Sequence, residues 1–215
     1  MASKEIAKIE QPLSEAPRIA TAILKFVSKI PASRELASQT PAAVARGKAN
    51  HAAAKAAIAS GAIALPPGPI AWLTILPELV AVWKIQSQLV ADIAAIYGKR
   101  ASLTQEQMVY CLFRHTAAQV FRDLIVRVGE RVVVRRASLR VMQSIAEKIG
   151  VKVTQQALGK GLSRWIPIIG AIGIGAYAYY DTAQVAATAI DLFERDIVLE
   201  SDKHVLLPSK ATGLA

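Results

Sequence analysis

The sequence predicts an all-α fold: a single compact helical domain built around apolar helical hairpins that proline and glycine interrupt. Apolar residues recur at spacings of three and four, and breaks fall at Pro and Gly. Hydrophobic residues make up 53% of the chain but aromatic residues only 6%, a small, aliphatic composition that favours closely packed helices. Residues 128–134 are the one run that reads ambiguously between helix and strand.

The length of 215 residues is enough for one sizeable core. We therefore expect a polar N-terminal lead at residues 1–16, a helical domain at 17–200 and a flexible tail at 201–215. The lead is charged from Lys4 onward and lacks an apolar core, so it does not read as a secretory signal.

Each predicted element has its own start or stop signal. Residues 17–30 form an amphipathic pattern that Pro31 ends. Thr40 caps a second helix at 41–65, whose first residue is proline. A third helix at 70–97 contains Pro77, where it should bend, and Gly98 should close it. Thr104 and Gln107 have the spacing of a capping box for a helix to about residue 128.

The remaining elements are read from breaks in the same pattern. A basic, valine-rich piece at 130–140 precedes a helix that ends near Gly150, followed by short helices. The apolar run at 165–180 then leads into a last helix at 181–196. Small residues in both apolar runs, Gly175 among them, predict that the last helices pack closely on a central hairpin at 41–97. Leucine at Gly173 or Gly175 should then lower the stability.

Two apolar runs raise the question of a membrane. No charge occurs between Lys55 and Glu78, which is long enough to span ~30 Å of hydrocarbon if it is helical throughout. The stretch ALPPGPIAWLTILPE within it cannot be, because its prolines break the helix. The second run, at 165–180, is too short to span and is also interrupted. A buried hairpin in a soluble core and docking on a membrane both remain open.

If the two runs meet a bilayer, their tips make the contact. The residues predicted for it are Leu65, Pro66, Pro67, Gly68, Pro69, Ile70, Trp72, Trp165, Ile166 and Pro167. Tryptophan favours the membrane interface because its ring is amphipathic.

A basic segment offers a second membrane signal. The chain has a formal charge of +10, and residues 122–164 hold ten basic residues against three acids. A helix through this segment would line up the arginines that recur every four residues. The residues predicted to bind an anionic surface are Arg127, Arg131, Arg135, Arg136 and Arg140. A solvated face is the alternative. Nucleic acid is disfavoured because no aromatic residues interleave with these arginines.

Two blocks of the chain resemble the EcsC protein family of bacteria. The first is GAIALPPGPIAWLTILPELVAVWKIQSQLVADIAAIYG. The second is VKVTQQALGKGLSRWIPIIGAIGIGAYAYYDTAQVAATAIDLFERDIVLE. Together they cover about half of the chain. The resemblance implies a helical, membrane-associated protein with no established catalytic activity. The chain departs from the pattern at 178–180, where Ala-Tyr-Tyr stands and many relatives have Asn.

No catalytic residue, metal site or cofactor is predicted. Cys111 and His115 share a helix face four residues apart, but a metal needs three or four ligands, so packing plus a surface histidine is the interpretation. Glu78 and Asp92 are fourteen residues apart, about 21 Å along a helix, too far for a paired acid and base.

Three functions from different classes follow. The first is a non-enzymatic peripheral membrane protein in the cytoplasm, at the inner face of the cell membrane, with an anionic membrane surface as partner. The second is a soluble scaffold that binds a hydrophobic protein partner, such as a helix, or a lipid-like ligand. The third is a hydrolase with an unrecognised site. A homo-oligomer is compatible with each of them.

Overall fold

The computed structural model describes residues 16–63, 71–160 and 167–200. The helices in these ranges are α1 (Ala16–Val27), α2 (Pro41–Ile63), α3 (Ala71–Ile96), α4 (Gln105–Ala117), α5 (Leu139–Lys160) and α6 (Pro167–Glu194), with 3₁₀ turns at Arg100–Ser102 and Ala118–Phe121. The strands are β1 (Ile125–Val128), β2 (Arg131–Arg135) and β3 (Asp196–Glu200). Helices account for 73% of the structure, which confirms the all-α class.

Helices α2, α3 and α6 form a three-helix bundle. α2 packs extensively on both α6 and α3, and α3 also packs on α6. The predicted central hairpin with the last helix against it is thus confirmed. A β-carbon added at Gly175 of α6 would lie 3.1 Å from the carbonyl oxygen of Ala57, so this glycine permits the close approach. At Gly173 it would meet nothing within 4 Å, so the close-packing role predicted for Gly173 is wrong.

The direction of each helix follows from contacts at its ends. The amide of Ser38, just before α2, donates to the carbonyl of Ile96 at the end of α3, so α2 and α3 are antiparallel. The Lys99 ammonium, just after α3, donates to the carbonyl of Phe193 at 2.8 Å and to that of Arg195. α6 therefore runs parallel to α3. We call the end of the bundle at Pro41, Ile96 and Glu194 the sheet end, because β3 follows α6 there.

A second layer packs beside the bundle. α1 buries Ile19, Ile23 and Val27, as its periodicity predicts, and packs mainly on α5. A β-carbon at Gly150 of α5 would lie 2.6 Å from the carbonyl oxygen of Ala16, so this crossing also depends on a glycine. α4 lies between α5 and the bundle.

Two of the predicted caps, at Thr104 and at Gly98, are present. The Thr104 hydroxyl accepts from the Gln107 amide, and the Gln107 side chain accepts from the Thr104 amide at 3.0 Å. Gly98 has φ +71° at the end of α3, a conformation that glycine tolerates at a helix C-terminus.

The sequence missed a small sheet. Residues 125–135 form an antiparallel hairpin around Gly129, which has φ +59°, and β3 pairs parallel with β2. The predicted helix to about residue 128 is wrong, since α4 ends at Ala117. Residues 128–134, the run that was ambiguous, are mainly extended because every second side chain of β2, Val132 and Val134, is buried in the core. The pairing of β2 with β3 joins strands about 65 residues apart.

The core is centred on α3. The Trp83 ring packs edge-on against Phe113, with centroids 5.4 Å apart, and tilted against Phe26 at 6.2 Å. Among the described residues, Leu79–Ile96 is the one stretch long and apolar enough to cross a membrane, and 61% of it is buried inside the protein. Burial at that level is typical of a core helix.

Candidate functional site

Most of the predicted membrane-contact residues fall outside the described residues. These are Leu65, Pro66, Pro67, Gly68, Pro69 and Ile70 in segment 64–70, and Trp165 and Ile166 in segment 161–166. Trp72 and Pro167 lie in the first residues of α3 and α6. The positions of the helices joined to these two segments show at which end of the molecule the segments attach.

Those helices begin or end at the same end of the bundle. Ala56, Val82 and Ala178 pack together, which places them at one level of α2, α3 and α6. From this level, α2 continues about 10 Å to its last residue, and α3 and α6 extend about 16 Å back to their first residues. Segments 64–70 and 161–166 therefore both attach at the end opposite the sheet.

We call this part of the bundle the apolar end and define it as residues 56–63, 71–77 and 167–180. It contains no charged residue. Its described surface exposes large apolar and aromatic side chains: Ile58 is 74% exposed, and Tyr177, Tyr179 and Tyr180 are 37%, 43% and 60% exposed. Towards the sheet end, the first charged residues on the three helices are Lys55, Glu78 and Asp181, and Arg164 stands three residues before α6 in the sequence.

The arginine set lies elsewhere and in another conformation. Arg127 is in β1, Arg131 and Arg135 are in β2, Arg136 follows β2, and Arg140 is near the start of α5. The predicted single helical face for Arg127, Arg131 and Arg135 is wrong. Arg127 pairs with Val132 and shares its face of the hairpin, whereas Arg131 and Arg135, one and three residues from Val132 along β2, are on the other face.

We call the β1–β2 hairpin, which carries Arg127, Arg131 and Arg135, the arginine hairpin, and it contacts α6 eleven residues, or about 16 Å, beyond the last residue of the apolar end. Arg127 forms an ion pair with Asp191, which is 24 residues beyond Pro167, or about 36 Å along the helix. The two predicted membrane signals are therefore at opposite ends of the bundle.

Asp191 is the centre of a charged cluster at the sheet end. Its carboxylate accepts from Arg195 Nε at 3.2 Å and Nη2 at 3.1 Å, lies 3.6 Å from Arg114 Nη1, and pairs with Arg127. The four side chains are 31–40% exposed, so water screens each pair. The cluster joins α4, β1 and α6, and it holds more positive than negative charge.

A second polar cluster lies where α3, α4 and α6 meet, and it is buried except for Tyr177 at its edge. His115 Nε2 lies 2.6 Å from Asp181 Oδ1, and the Gln86 side-chain amide donates to Asp181 Oδ2 at 2.6 Å and to the Thr182 hydroxyl at 3.2 Å. Burial, the charge of Asp181 and a hydrogen bond to it raise the pKa of Tyr177 to about 12. We call these five side chains the Asp181 network.

The Asp181 network combines a histidine and a carboxylate as a general base would, but its geometry is not that of an open active site. His115 is only 17% exposed, and its other nitrogen, Nδ1, is buried without a partner among the described residues. No substrate proton can reach that nitrogen in this conformation. The prediction of a surface histidine is wrong. A Gln within the apolar stripe of α3 was the available sequence signal for this network.

The other candidate groups are also structural. Cys111 is fully buried, and burial raises the pKa of its thiol far above the ordinary range, so no thiolate forms near neutral pH. Asp92 accepts hydrogen bonds from the Ser33 hydroxyl at 2.7 Å and from the Gln88 amide at 2.9 Å. The bond to Ser33 connects the loop before α2 to α3. No group of three metal-ligating side chains occurs within the described part of the chain.

A groove of about 450 Å³ at the sheet end is lined by Glu130, Glu194, Arg195 and Asp196. Three of these four side chains are acidic, and the groove lies beside the Asp191 cluster.

No protein-family model, curated protein or solved structure matches this chain. The resemblance to the EcsC family therefore stays a prediction.

Proposed function

We propose that this chain is a non-enzymatic peripheral membrane protein, as its resemblance to the EcsC family implies, and that it docks with its apolar end on the anionic inner face of the cell membrane. The observation that carries the proposal is that the two Pro/Gly-interrupted apolar segments, in their described residues 56–63, 71–77 and 167–180, lie at one end of the bundle. One such segment gives marginal binding, whereas two signals together give stable binding.

The surface of the apolar end supports the same proposal. Side chains such as Ile58, Tyr179 and Tyr180 expose apolar area to water with no charge between them. Transfer of that area to lipid is favourable by ~25 cal/mol per Å². Lys55 and Lys84 are exposed at the border of this surface. Each basic residue near an anionic membrane adds about 1 kcal/mol of attraction.

If the bundle stands upright with its apolar end on the membrane, the arginine hairpin lies at the end away from the lipid. With the bundle upright, Asp191, with which Arg127 of this hairpin pairs, lies about 15 Å from Asp181 at the border of the apolar end, or about two Debye lengths at physiological salt. With the bundle lying flat, both ends would touch the lipid. We propose the upright orientation, because the exposed tyrosines of α6 all lie in its first half.

A helical protein partner is the second candidate. It is favoured by the exposed aromatic surface of α6, which would also suit an amphipathic helix. Its test is the same binding experiment, since a scaffold of this kind does not bind lipid vesicles.

Co-sedimentation with vesicles of neutral and of acidic lipid tests the proposal. The wild type should bind acidic vesicles, and the double variant Leu65→Ser/Trp72→Ser should be released with unchanged helicity. Leu36→Ser is the matched control, because Leu36 is 82% exposed at the sheet end of the molecule. Absence of wild-type binding to acidic vesicles would exclude the membrane function and leave the scaffold.

Charge variants test the orientation in the same assay. Lys55→Gln/Lys84→Gln should weaken binding several-fold, and more at low salt, where attraction is least screened. Arg131→Gln/Arg135→Gln should leave binding near the wild-type value. The reverse pattern would show that the bundle lies flat with its hairpin on the membrane.

A further inference from the structure

Strand β3 has an open edge that suits a protein partner of defined chemistry. We propose that this edge binds an extended segment of a partner protein, which adds a fourth strand to the sheet and places basic residues opposite Asp196 and Glu200. The proposal does not rest on membrane docking, because β3 lies at the sheet end, away from the apolar end.

β3 is paired on one side. The sheet order is β1–β2–β3, so β3 has β2 on one side and an edge on the other. Among the described residues, no backbone group outside β2 hydrogen-bonds to the backbone of residues 196–200. An edge strand directs unpaired amides and carbonyls outwards, and these groups pair readily with another strand. β3 contains no proline or glycine, and Val198 and Leu199, on opposite faces, are 44% and 37% exposed.

The outer face of the sheet defines the central residue of the partner. Residues aligned across strands lie on one face, so Val126, Val133 and Val198 form a row across β1, β2 and β3. Val126 and Val133 are partly exposed in this row. A fourth strand would extend the row, and an apolar residue opposite Val198 would cover its exposed area.

Charge alternates in the two rows that flank these valines. In the register of β2 and β3, Arg131 is aligned with Asp196, and Arg135 with Glu200. Opposite charges on neighbouring strands favour pairing, whereas like charges directly opposite disfavour it. The next strand should therefore carry a basic residue in each row. The segment that fits has a basic residue at each end, an apolar residue in the middle and one residue of any kind between each pair.

The same charges disfavour a second copy of this chain as the partner. Antiparallel pairing of two β3 strands centred on Val198 would align Asp196 of each copy with Glu200 of the other. Charged residues of this kind protect an edge strand from self-association. They leave it open to a basic strand, because specificity comes from repulsion of the wrong partner as well as attraction of the right one.

The groove at the sheet end continues the binding surface. Asp196, the first residue of β3, is one of its lining residues, and Glu130 and Glu194 add two more acids. Arg195, also in the lining, bonds to Asp191. A partner chain that leaves the edge beside Asp196 therefore meets a further acidic surface, which suits an additional basic residue.

Binding of labelled peptides to the full chain tests the proposal. The peptide Ser-Lys-Thr-Val-Thr-Lys-Ser carries the required pattern, and its control has glutamate in place of both lysines. Fluorescence anisotropy should show roughly tenfold tighter binding of the lysine peptide. A lysine peptide that binds no better than the glutamate peptide would overturn the proposal.

Two backbone-modified peptides separate strand pairing from simple attraction of charge. One carries an N-methyl group on the valine of the lysine peptide, and the other carries it on the threonine that follows. Because successive amides of a strand point to opposite sides, one methyl group should abolish binding and the other should leave it nearly unchanged. Equal affinity of the two methylated peptides would exclude strand pairing.

Charge reversal in the protein locates the site. Asp196→Lys/Glu200→Lys should reverse the preference, so that the glutamate peptide binds more tightly than the lysine peptide. Asp123→Lys/Glu147→Lys is the matched control, because it changes the net charge equally at two exposed acids outside β3 and the groove. The control should keep the wild-type preference. The same response in both variants would mean that the peptides follow net charge, and the proposal would fail.

Sedimentation velocity of the wild type tests the competing occupant. The wild type should stay at one sedimentation coefficient as its concentration rises. Self-association that Asp196→Lys/Glu200→Lys changes and Asp123→Lys/Glu147→Lys does not would make a second copy the occupant of this edge, and would overturn the proposal of a basic partner.

Discussion

The two ends of the α2–α3–α6 bundle meet their surroundings in different ways. At the sheet end, charged side chains close the helix termini: Lys99 donates to the last carbonyls of α6, and Asp191 holds three arginines. At the apolar end, 56–63, 71–77 and 167–180 supply no charge, and the large apolar side chains exposed among its described residues are Ile58 and three tyrosines.

The difference lies in the interactions that hold each end of the bundle together. Charged caps at the sheet end interact with exposed carbonyls and suit water. The apolar end is held by close helix contacts instead, since Gly175 brings α6 onto the Ala57 backbone. Small residues that let backbones approach are the usual packing device of helices in lipid. Packing at this end therefore does not depend on salt, whereas the charged cluster at the other end does.

The largest expected effect is on the close contact at the apolar end. Gly175→Leu puts a branched side chain where even a β-carbon would lie 3.1 Å from the Ala57 carbonyl. Overpacking of this kind costs about 3 kcal/mol of the free energy of unfolding. Thermal and urea unfolding measure it.

Gly173→Leu is the matched control for that prediction. The position is open and exposed, so the variant should keep or gain stability, by up to about 1 kcal/mol from helix propensity. Equal losses of stability in Gly173→Leu and Gly175→Leu would show that position 173 is also packed against another part of the protein.

A smaller effect is expected from the Asp181 network, where the two regions meet. Asp181→Ala removes the partner of His115 Nε2 and one of the two acceptors of the Gln86 amide, and it should cost about 2 kcal/mol of the free energy of unfolding. Asp181→Asn keeps one acceptor oxygen, so its free energy of unfolding should lie between those of the wild type and Asp181→Ala. Guanidinium unfolding of the three proteins at one pH measures the order. If the Asp181→Ala variant is as stable as the wild type, the Asp181 network does not contribute to the stability of the helix packing.

The charged cluster should respond to salt. Asp191→Ala leaves Arg114, Arg127 and Arg195 close together without their shared acid, at a cost of about 1 kcal/mol in low salt. Added sulfate should recover most of this loss by screening the repulsion. The melting temperature as a function of sulfate measures it. A loss that sulfate does not reduce would mean that packing, rather than charge, is the role of Asp191.

The smallest effect is on alkaline stability. The pKa of Tyr177 is raised above its ordinary value of 10.0 to about 12. The folded state therefore holds the phenol proton more tightly, so its contribution is fully present below pH 10 and is lost as the pH rises to about 12. Tyr177→Phe should remove this loss in a series of unfolding measurements across that window.

Tyr179→Phe provides the comparison for the alkaline series, because it removes an exposed tyrosine from the same helix. Identical alkaline profiles for the two variants would contradict the assignment to Tyr177.

The sequence by itself determined the elements that depend on neighbours along the chain. The Thr104–Gln107 capping box, the Gly98 cap and the buried face of α1 were readable because each uses residues within a turn or two of one another. The all-α class followed from the same local periodicity.

Only the tertiary structure decided the features that join distant residues. β2 pairs with its neighbour β1 but also with β3, about 65 residues later, and no local pattern encodes that second partner. The Asp181 network likewise joins three helices across 95 residues of chain, so Asp181 and Gln86 looked unrelated. The arginine spacing of four suited a helix and a hairpin equally well. The packing of the helices places the apolar end and those arginines at opposite ends of the bundle. The sequence did not predict this, because the spacing of residues along a chain determines local geometry but not which faces come into contact.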